Sequence, residues 1–243
     1  MVAVGTDLLY LRDAEQRSFD SVVTAIVDGG IVLAETCFYV TGGGQPHDTG
    51  SLTWEGGTAR VIDVRKDRES GEVVHVLEGD VPNEGTAVHG EIDWDRRHAL
   101  MRTHTALHVL CGVIWNEYKV AVTGGNMEPL SARMDFEFDP LPEGFGRRVE
   151  ELVNAELAAA RPVEVVFLPR GAAVGDADLI RTKVNLIPES VREIRVVDIV
   201  GLDKQADGGT HVARTDEVGR IQVVKTESKG RSNKRIRLRV LDG

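Results

Sequence analysis

The sequence has few cysteines, few aromatic residues and no long apolar run. The only two cysteines, Cys37 and Cys111, lie far apart in apolar surroundings, which favours buried thiols over a disulfide framework. No apolar stretch approaches the ~20 residues of a membrane helix, and residues 1–20 lack the basic and apolar regions of an export signal. We therefore expect no membrane partner and a cytoplasmic location.

An excess of basic charge is also missing, because the 243 residues carry a formal net charge of −10. Nonspecific nucleic-acid binding depends on Lys and Arg neutralising phosphates, so we expect no DNA partner and only a local contact with RNA. A basic cluster near the C-terminal end is compatible either with a solvated hairpin or with such a contact. It comprises Lys225, Lys229, Arg231, Lys234, Arg235, Arg237 and Arg239.

Short β-type runs separated by Gly, Asp and Asn predict a small all-β barrel in the first part of the chain. The runs occupy residues 22–27, 31–34, 59–64, 73–77 and 86–92. Three consecutive glycines, Gly42, Gly43 and Gly44, precede Gln45 and indicate a sharp bend or a close approach to another surface. A plain turn explains them equally well from spacing alone.

The second part of the chain combines helical and strand-like patterns. A helix is predicted to begin at Asp93 or Asp95 and to extend through Trp115, and another spans residues 144–160 before Pro162. Strands are predicted at 132–138, 163–168, 192–200, 220–226 and 235–241. The fold class is therefore α+β, with an N-terminal small β-barrel domain (1–92) and a two-layer α/β sandwich with a mostly antiparallel sheet (93–243).

Two histidines at helical spacing are the first candidates for chemistry. His104 and His108 lie four residues apart in the predicted helix, so both imidazoles project from one face and can chelate one ion. Asp207 and His211 lie four apart in a Gly-rich turn and could complete a tetrahedral zinc set. Four protein ligands would leave no obvious place for water or substrate, so Asp207 is either loosely held or not a ligand. Alternatively, Asp207 only caps the turn.

Other catalytic arrangements are missing from the sequence. It contains no Gly-x-Ser-x-Gly elbow, phosphate-binding loop or dinucleotide fingerprint, and no Cys placed with a His as a thiol nucleophile. Thr105 stands where the zinc protease motif His-Glu-x-x-His has its glutamate, which disfavours a metalloprotease.

Three motifs in this order resemble the AlaX alanyl-tRNA editing proteins, relatives of the editing domain of alanyl-tRNA synthetase. The first runs from Glu35 through the three glycines to Gly50, the second from Arg102 to His108, and the third from Gly208 to Gly219. The resemblance implies a β-barrel like that of translation factors and an editing domain shared with threonyl-tRNA synthetase. The chain is similar to the medium-length class of this family.

The resemblance also implies site residues. In the family, two helical histidines and the Cys and His of a Cys-x-x-x-His turn hold one zinc ion, which corresponds to His104, His108 and His211. Asp207 stands where that cysteine is often found and exchanges a thiolate for a carboxylate. Thr123, followed by Gly124 and Gly125, lies near the place where the family has a pocket threonine that senses the hydroxyl of the amino acid.

The function implied by the resemblance is a zinc-dependent deacylase that hydrolyses misacylated tRNA(Ala) in trans, chiefly Ser-tRNA(Ala) and possibly Gly-tRNA(Ala). Its expected partner is the acceptor end of tRNA(Ala). Expected tRNA contacts are the Gly-rich loop and part of the basic cluster, namely Gly42, Gly43, Gly44, Gln45, Lys229, Arg231, Lys234, Arg235 and Arg237. The alternatives are a non-catalytic tRNA-binding relative and a metal-dependent hydrolase of small aminoacyl esters.

Overall fold

The computed structural model describes residues 5–171, 192–230 and 233–242. The chain divides into two compact units, Met1–His98 and Ala99–Gly243. Within the described residues, no helix is long and apolar enough to cross a membrane.

The first unit is built around a closed barrel of six antiparallel strands. The strands are β2 (Ser18–Val27), β3 (Gly30–Leu33), β5 (Gly50–Trp54), β6 (Gly57–Lys66), β7 (Val73–Gly79) and β8 (Ala87–Ile92), and they follow the order β2-β3-β7-β6-β5-β8. Two short strands, β1 (Asp7–Leu8) and β4 (Glu35–Thr36), pair in parallel beside them. Gly29 has a φ of +84°, as the tight turn between β2 and β3 requires.

A fully buried ion pair ties the Gly-rich segment to the end of this unit. The side chains of Arg97 and Asp48 have no exposed surface and are joined by hydrogen bonds, one of them from Nε to Oδ2 at 2.9 Å. Arg97 also donates to the carbonyl oxygens of Ala14 and Cys37 at 2.8 and 2.6 Å. Asp48 in turn accepts the backbone N–H of Tyr39 at 2.7 Å, so the pair is satisfied on both sides.

Helix α1 spans Trp94–Tyr118 and begins where the acidic residues predicted it. The Oδ1 atom of Asp93 accepts the backbone N–H of Arg96 at 3.2 Å, which satisfies one of the donors left free at a helix start. Every residue from 103 to 114 is buried. A helix buried on all sides is part of a core rather than a surface element.

The second unit contains two antiparallel sheets and a second helix. One sheet has the order β14-β15-β10-β9 and the other β11-β12-β13. Their strands are β9 (Val122–Glu128), β10 (Ser131–Glu137), β11 (Val163–Pro169), β12 (Glu193–Ile199), β13 (Asp203–Ala206), β14 (Arg220–Ser228) and β15 (Asn233–Leu241). Helix α2 (Phe145–Ala158) contacts β14, where Asn154 exchanges two hydrogen bonds with the backbone of Ile221.

The predicted fold class is confirmed, since the structure combines a closed barrel with helices and mostly antiparallel sheets. The sequence patterns did not predict β1, β4, β5, β9 or β13. The last two have weak strand signals, because β9 contains Gly124 and Gly125 and β13 is a short polar run.

Candidate metal centre

The first two ligand candidates lie one turn apart on helix α1. His104 and His108 are 5% and 7% exposed, and their ring centroids are 5.1 Å apart. Burial of two imidazoles in an apolar helix is costly unless their nitrogens find partners. The structure thus places the two side chains together on one helix face, as the spacing predicts, and their buried nitrogens need polar partners.

The other two candidates are brought in by the turn after β13. Asp207 Oδ2 accepts the backbone N–H of Gly209 at 2.6 Å and lies 3.1 Å from His211 Nε2. The His211 ring is 4.3 Å from that of His104 and 4.7 Å from that of His108, centroid to centroid. The sequence left two alternatives for Asp207, capping the turn or joining the cluster. In the structure its carboxylate accepts the N–H of Gly209 in the turn and also lies within the cluster.

The four side chains form a compact donor set. One ligand atom each from His104, His108, Asp207 and His211 lies within 4.8 Å of the others. Zinc binds His nitrogen and carboxylate oxygen at ~2.0–2.2 Å, so donors on one ion lie at most roughly 4.4 Å apart. A small contraction brings all four within reach of one ion, and the donor set fits a borderline metal such as zinc.

The pKa shifts of His104, His211 and Asp207 favour the forms that bind a metal ion. Burial lowers the pKa of His104 well below its usual value and lowers the pKa of His211 to about 4. Burial opposes ionisation of Asp207, but His104 and His211 hold its pKa well below the usual range. Neutral imidazoles and an ionised carboxylate are the forms that bind metal ions.

Polar residues outside the donor set contact its side chains and hold them in place. His108 Nδ1 lies 3.3 Å from Asp203 Oδ2, which also accepts the side-chain N–H of Gln205 at 2.6 Å. This arrangement leaves His108 Nε2 available to an ion. Burial alone would lower the pKa of His108, but the contact with Asp203 raises it overall.

Thr105 and Arg195 contact two more of the ligand candidates, His211 and Asp207. Thr105 Oγ1 lies 3.1 Å from His211 Nδ1 and accepts the backbone N–H of Val212 at 3.3 Å. Arg195 donates to the carbonyl oxygen of Asp207 at 2.8 Å and lies 3.8 Å from its Oδ2. Sequence reasoning did not select Asp203, Thr105 or Arg195 as site residues. Thr105 lies inside the second motif, which is the one signal that could have indicated it.

The predicted substrate-pocket residues lie on β9, an outer strand of its sheet. The side chain of Thr123 is exposed, and its Oγ1 donates to Asn233 Oδ1 at 3.3 Å. A Cβ atom at Gly124 would lie 3.9 Å from Asp135 Oδ2, and one at Gly125 would lie 3.7 Å from a backbone carbonyl, so both positions have room.

Much of the predicted basic cluster is internally paired. Arg235 makes two hydrogen bonds to Asp135, at 2.6 and 2.7 Å, and Arg237 Nε donates to Glu227 at 3.1 Å. The Lys234 amine donates to Ser228 Oγ and Gly230 O, both at 3.0 Å. Lys229 is exposed, and Arg231 lies outside the described residues.

The Gly-rich loop of the first unit is a tight turn. The backbones of Gly42 and Gln45 exchange hydrogen bonds of 3.1 and 2.9 Å, while Gly43 and Gly44 have φ values of +59° and +87°. These φ values explain two of the three glycines. Gln45 is only 1% exposed, so its side chain belongs to the interior of this unit.

Comparison with known proteins adds independent information. Residues 6–96 match the family described as "tRNA synthetases class II (A)", and residues 194–237 match the "Threonyl and Alanyl tRNA synthetase second additional domain". The "Alanyl-tRNA editing protein AlaX-M" of Methanosarcina barkeri is 34% identical over 244 residues, covering 98% of this chain and 100% of that protein. The chain belongs to the AlaX family of alanyl-tRNA editing proteins.

Other relatives agree with membership in the AlaX family. The protein of the same name from Saccharolobus solfataricus is 34% identical, covering 95% of this chain and 97% of its own. The "Alanine--tRNA ligase" of Pyrobaculum calidifontis is 41% identical over 233 residues, covering 90% of this chain. The chain spans 25% of that ligase, so it corresponds to one part of a larger enzyme.

Proposed function

We propose that this protein is a zinc-dependent deacylase that hydrolyses misacylated tRNA(Ala) in trans, chiefly Ser-tRNA(Ala). The observation that carries the proposal is the donor set of three buried histidines, His104, His108 and His211, with Asp207, in a chain that covers 100% of one AlaX-M relative and 97% of another. The substrate would be the aminoacyl ester at the tRNA acceptor end. Such a substrate places the activity in the cytoplasm.

The four donors would hold one zinc ion. When bound, that ion supplies a Lewis acid for the ester carbonyl or lowers the pKa of a bound water toward ~7. His104, His108 and His211 are its proposed permanent ligands and, through it, the catalytic residues.

Asp207 is the ligand best able to give way to substrate. Its carboxylate already accepts the N–H of Gly209 and lies near Arg195, so it would keep polar partners without a bond to the ion. Three histidine ligands alone would leave an open position for water or substrate, as catalytic zinc sites have. The ionised Asp207 carboxylate would then be able to accept a hydrogen bond from a water beside the ester.

Serine selectivity requires a group that recognises the serine hydroxyl. A site that hydrogen-bonds this hydroxyl leaves its own polar group unpaired when alanine enters, and such sites reject the analogue by up to ~10⁴. Thr123, beside Gly124 and Gly125, is the proposed partner. Thr105 is a second hydroxyl, inside the cluster, where it contacts His211 and Val212. Retention of serine selectivity in Thr123→Val would remove this role from Thr123.

The proposed tRNA contacts are the loop glycines Gly42, Gly43 and Gly44 together with Lys229, Arg231, Lys234, Arg235 and Arg237, whereas the expected contact from Gln45 is not retained because its side chain is buried. Because several of these cations are neutralised by neighbours, we expect them to contribute less than their number implies. A non-catalytic tRNA-binding protein and a hydrolase of small aminoacyl esters are the competing functions.

The proposal is tested by deacylation of Ser-tRNA(Ala), Gly-tRNA(Ala) and Ala-tRNA(Ala) with the wild-type protein, His104→Ala and the control His98→Ala. His98 is on the same helix but stacks on Trp94, so its loss should leave turnover unchanged. We expect rapid release of serine, slow release of alanine and no activity in His104→Ala. Binding of tRNA without turnover would favour a non-catalytic tRNA-binding protein. Hydrolysis of a small seryl ester but not of Ser-tRNA(Ala) would favour a hydrolase of small aminoacyl esters.

A further inference from the structure

Phe167 is an aromatic side chain left open to solvent. It is 44% exposed and is the only aromatic among the exposed large hydrophobic residues of the described part of the chain. Single exposed apolar residues are common and need no explanation by themselves. The position of Phe167 in its sheet is what gives it significance.

Phe167 lies in one cross-strand row with a ligand of the proposed metal centre. It is directly opposite Arg195 on the neighbouring strand β12. On the other side of Arg195, the backbone N–H of Asp207 donates to the Arg195 carbonyl at 3.2 Å. Adjacent strands are ~4.8 Å apart, so the backbone of Phe167 lies two spacings, or roughly 10 Å, from that of Asp207.

The side chains of this row project from the same face of the sheet. Directly opposite residues in an antiparallel pair share a face, and Arg195 extends toward Asp207, to which it donates at 2.8 Å. Phe167 therefore lies on the sheet face that carries Asp207, two strands away, with Arg195 between them. Val165, two residues earlier on the same face, is 38% exposed and extends the apolar edge.

Burial changes abruptly along this face. Arg195 is 8% exposed and Val197 is fully buried, whereas their partners on β11, Phe167 and Val165, are open. Phe167 and Val165 therefore form an exposed apolar edge beside the buried Arg195. A ring in this position suits a ligand whose reacting end enters the site and whose flat, apolar part remains outside.

We propose that Phe167 is a stacking platform for the 3′-terminal adenine of the charged tRNA. This inference rests on the proposed function, because it places the ester at the metal centre and the adenine of the same nucleoside one ribose away, over β11. Unpaired bases at RNA ends are recognised by stacking on aromatic side chains. Such stacking contributes about 1–3 kcal/mol per base.

The test compares Phe167→Ala, Phe167→Leu and Phe167→Trp with the wild-type protein, each checked for metal content and thermal midpoint. Leu keeps apolar bulk without a π face, and Trp keeps the face. We expect KM for Ser-tRNA(Ala) to rise about 5- to 150-fold in the Ala variant. The Leu variant should show a smaller rise, the Trp variant should remain near wild type, and kcat should change little.

A second substrate separates stacking from damage to the site. Hydrolysis of seryl ethyl ester, which has no base, should be the same in all four proteins. If wild type deacylates Ser-tRNA(Ala) and Phe167→Ala does so with an unchanged KM, the stacking role is overturned while the proposed function stands. An equal loss on both substrates would also overturn it, since Phe167 would then support the site itself. No turnover by wild-type protein would overturn the proposed function first.

Discussion

The carboxylate behind His108 gives the most specific prediction for the metal centre. Asp203 is 3% exposed, its Oδ2 lies 3.3 Å from His108 Nδ1, and the Gln205 amide holds that oxygen at 2.6 Å. A carboxylate in this position fixes the ring orientation and the tautomer of a metal-binding histidine. In Asp203→Asn the charge is lost while the shape of the side chain is kept.

We expect Asp203→Asn to weaken zinc binding about 10- to 100-fold, or about 1.4–2.7 kcal/mol. The matched control is Asp198→Asn on β12, because the Asp198 carboxylate pairs with Lys204 at 3.6 Å and is not one of the four ligand candidates. Zinc affinity is measured by competition between apo-protein and a fluorescent chelator, with the thermal midpoint of each apo-protein as a check on folding. Equal affinity of the Asp203 and Asp198 variants would refute the reasoning.

Three further predictions concern stability and RNA binding. Asp48→Asn leaves the Arg97 charge buried without its partner, so the free energy of unfolding in urea should fall by about 3–5 kcal/mol; a loss below about 1 kcal/mol would show that Arg97 is hydrated. Burial lowers the pKa of His75 to about 4. Below pH 6.5 this histidine is therefore protonated in the unfolded chain, whereas in the folded chain it stays neutral until the pH approaches 4. Between pH 7 and 4.5 the wild-type protein should therefore lose about 2–3 kcal/mol more stability than His75→Gln; parallel pH profiles would contradict this. Lys229 is exposed and is one of the proposed tRNA contacts, so Lys229→Gln should reduce the salt dependence of tRNA affinity by about one unit of slope. The control Arg60→Gln should leave that slope unchanged, and equal slopes in both variants would remove Lys229 from the interface.

The fold was predictable where turns and periodicity carry strong local signals. Glycine and aspartate residues in the turns indicated where most barrel strands begin and end. Asp93 indicated the start of α1, because the free N–H groups of a helix start need side-chain acceptors. Strand β13 gave no such signal. It is short and polar, and it forms because β12 offers it a partner rather than because of its own propensity.

The candidate site was predictable only as far as sequence spacing reaches. His104 and His108 were evident from one helix, and Asp207 and His211 from one turn. Asp203 and Arg195 join the cluster through strand pairing, which spacing does not reveal. The same reason applies to the basic cluster, where the pairing of Arg235 with Asp135 depends on the register between β10 and β15.

The central claim is that a metal ion held by the buried histidines performs the deacylation. The most direct test measures metal content and Ser-tRNA(Ala) hydrolysis on the same sample of wild-type protein, before chelation, after chelation and after zinc is restored, with His211→Ala in parallel. We expect about one zinc ion per wild-type chain, loss of metal and activity together, and recovery of both on zinc addition. The His211 variant should recover neither. Full activity in metal-free, folded protein would contradict the account.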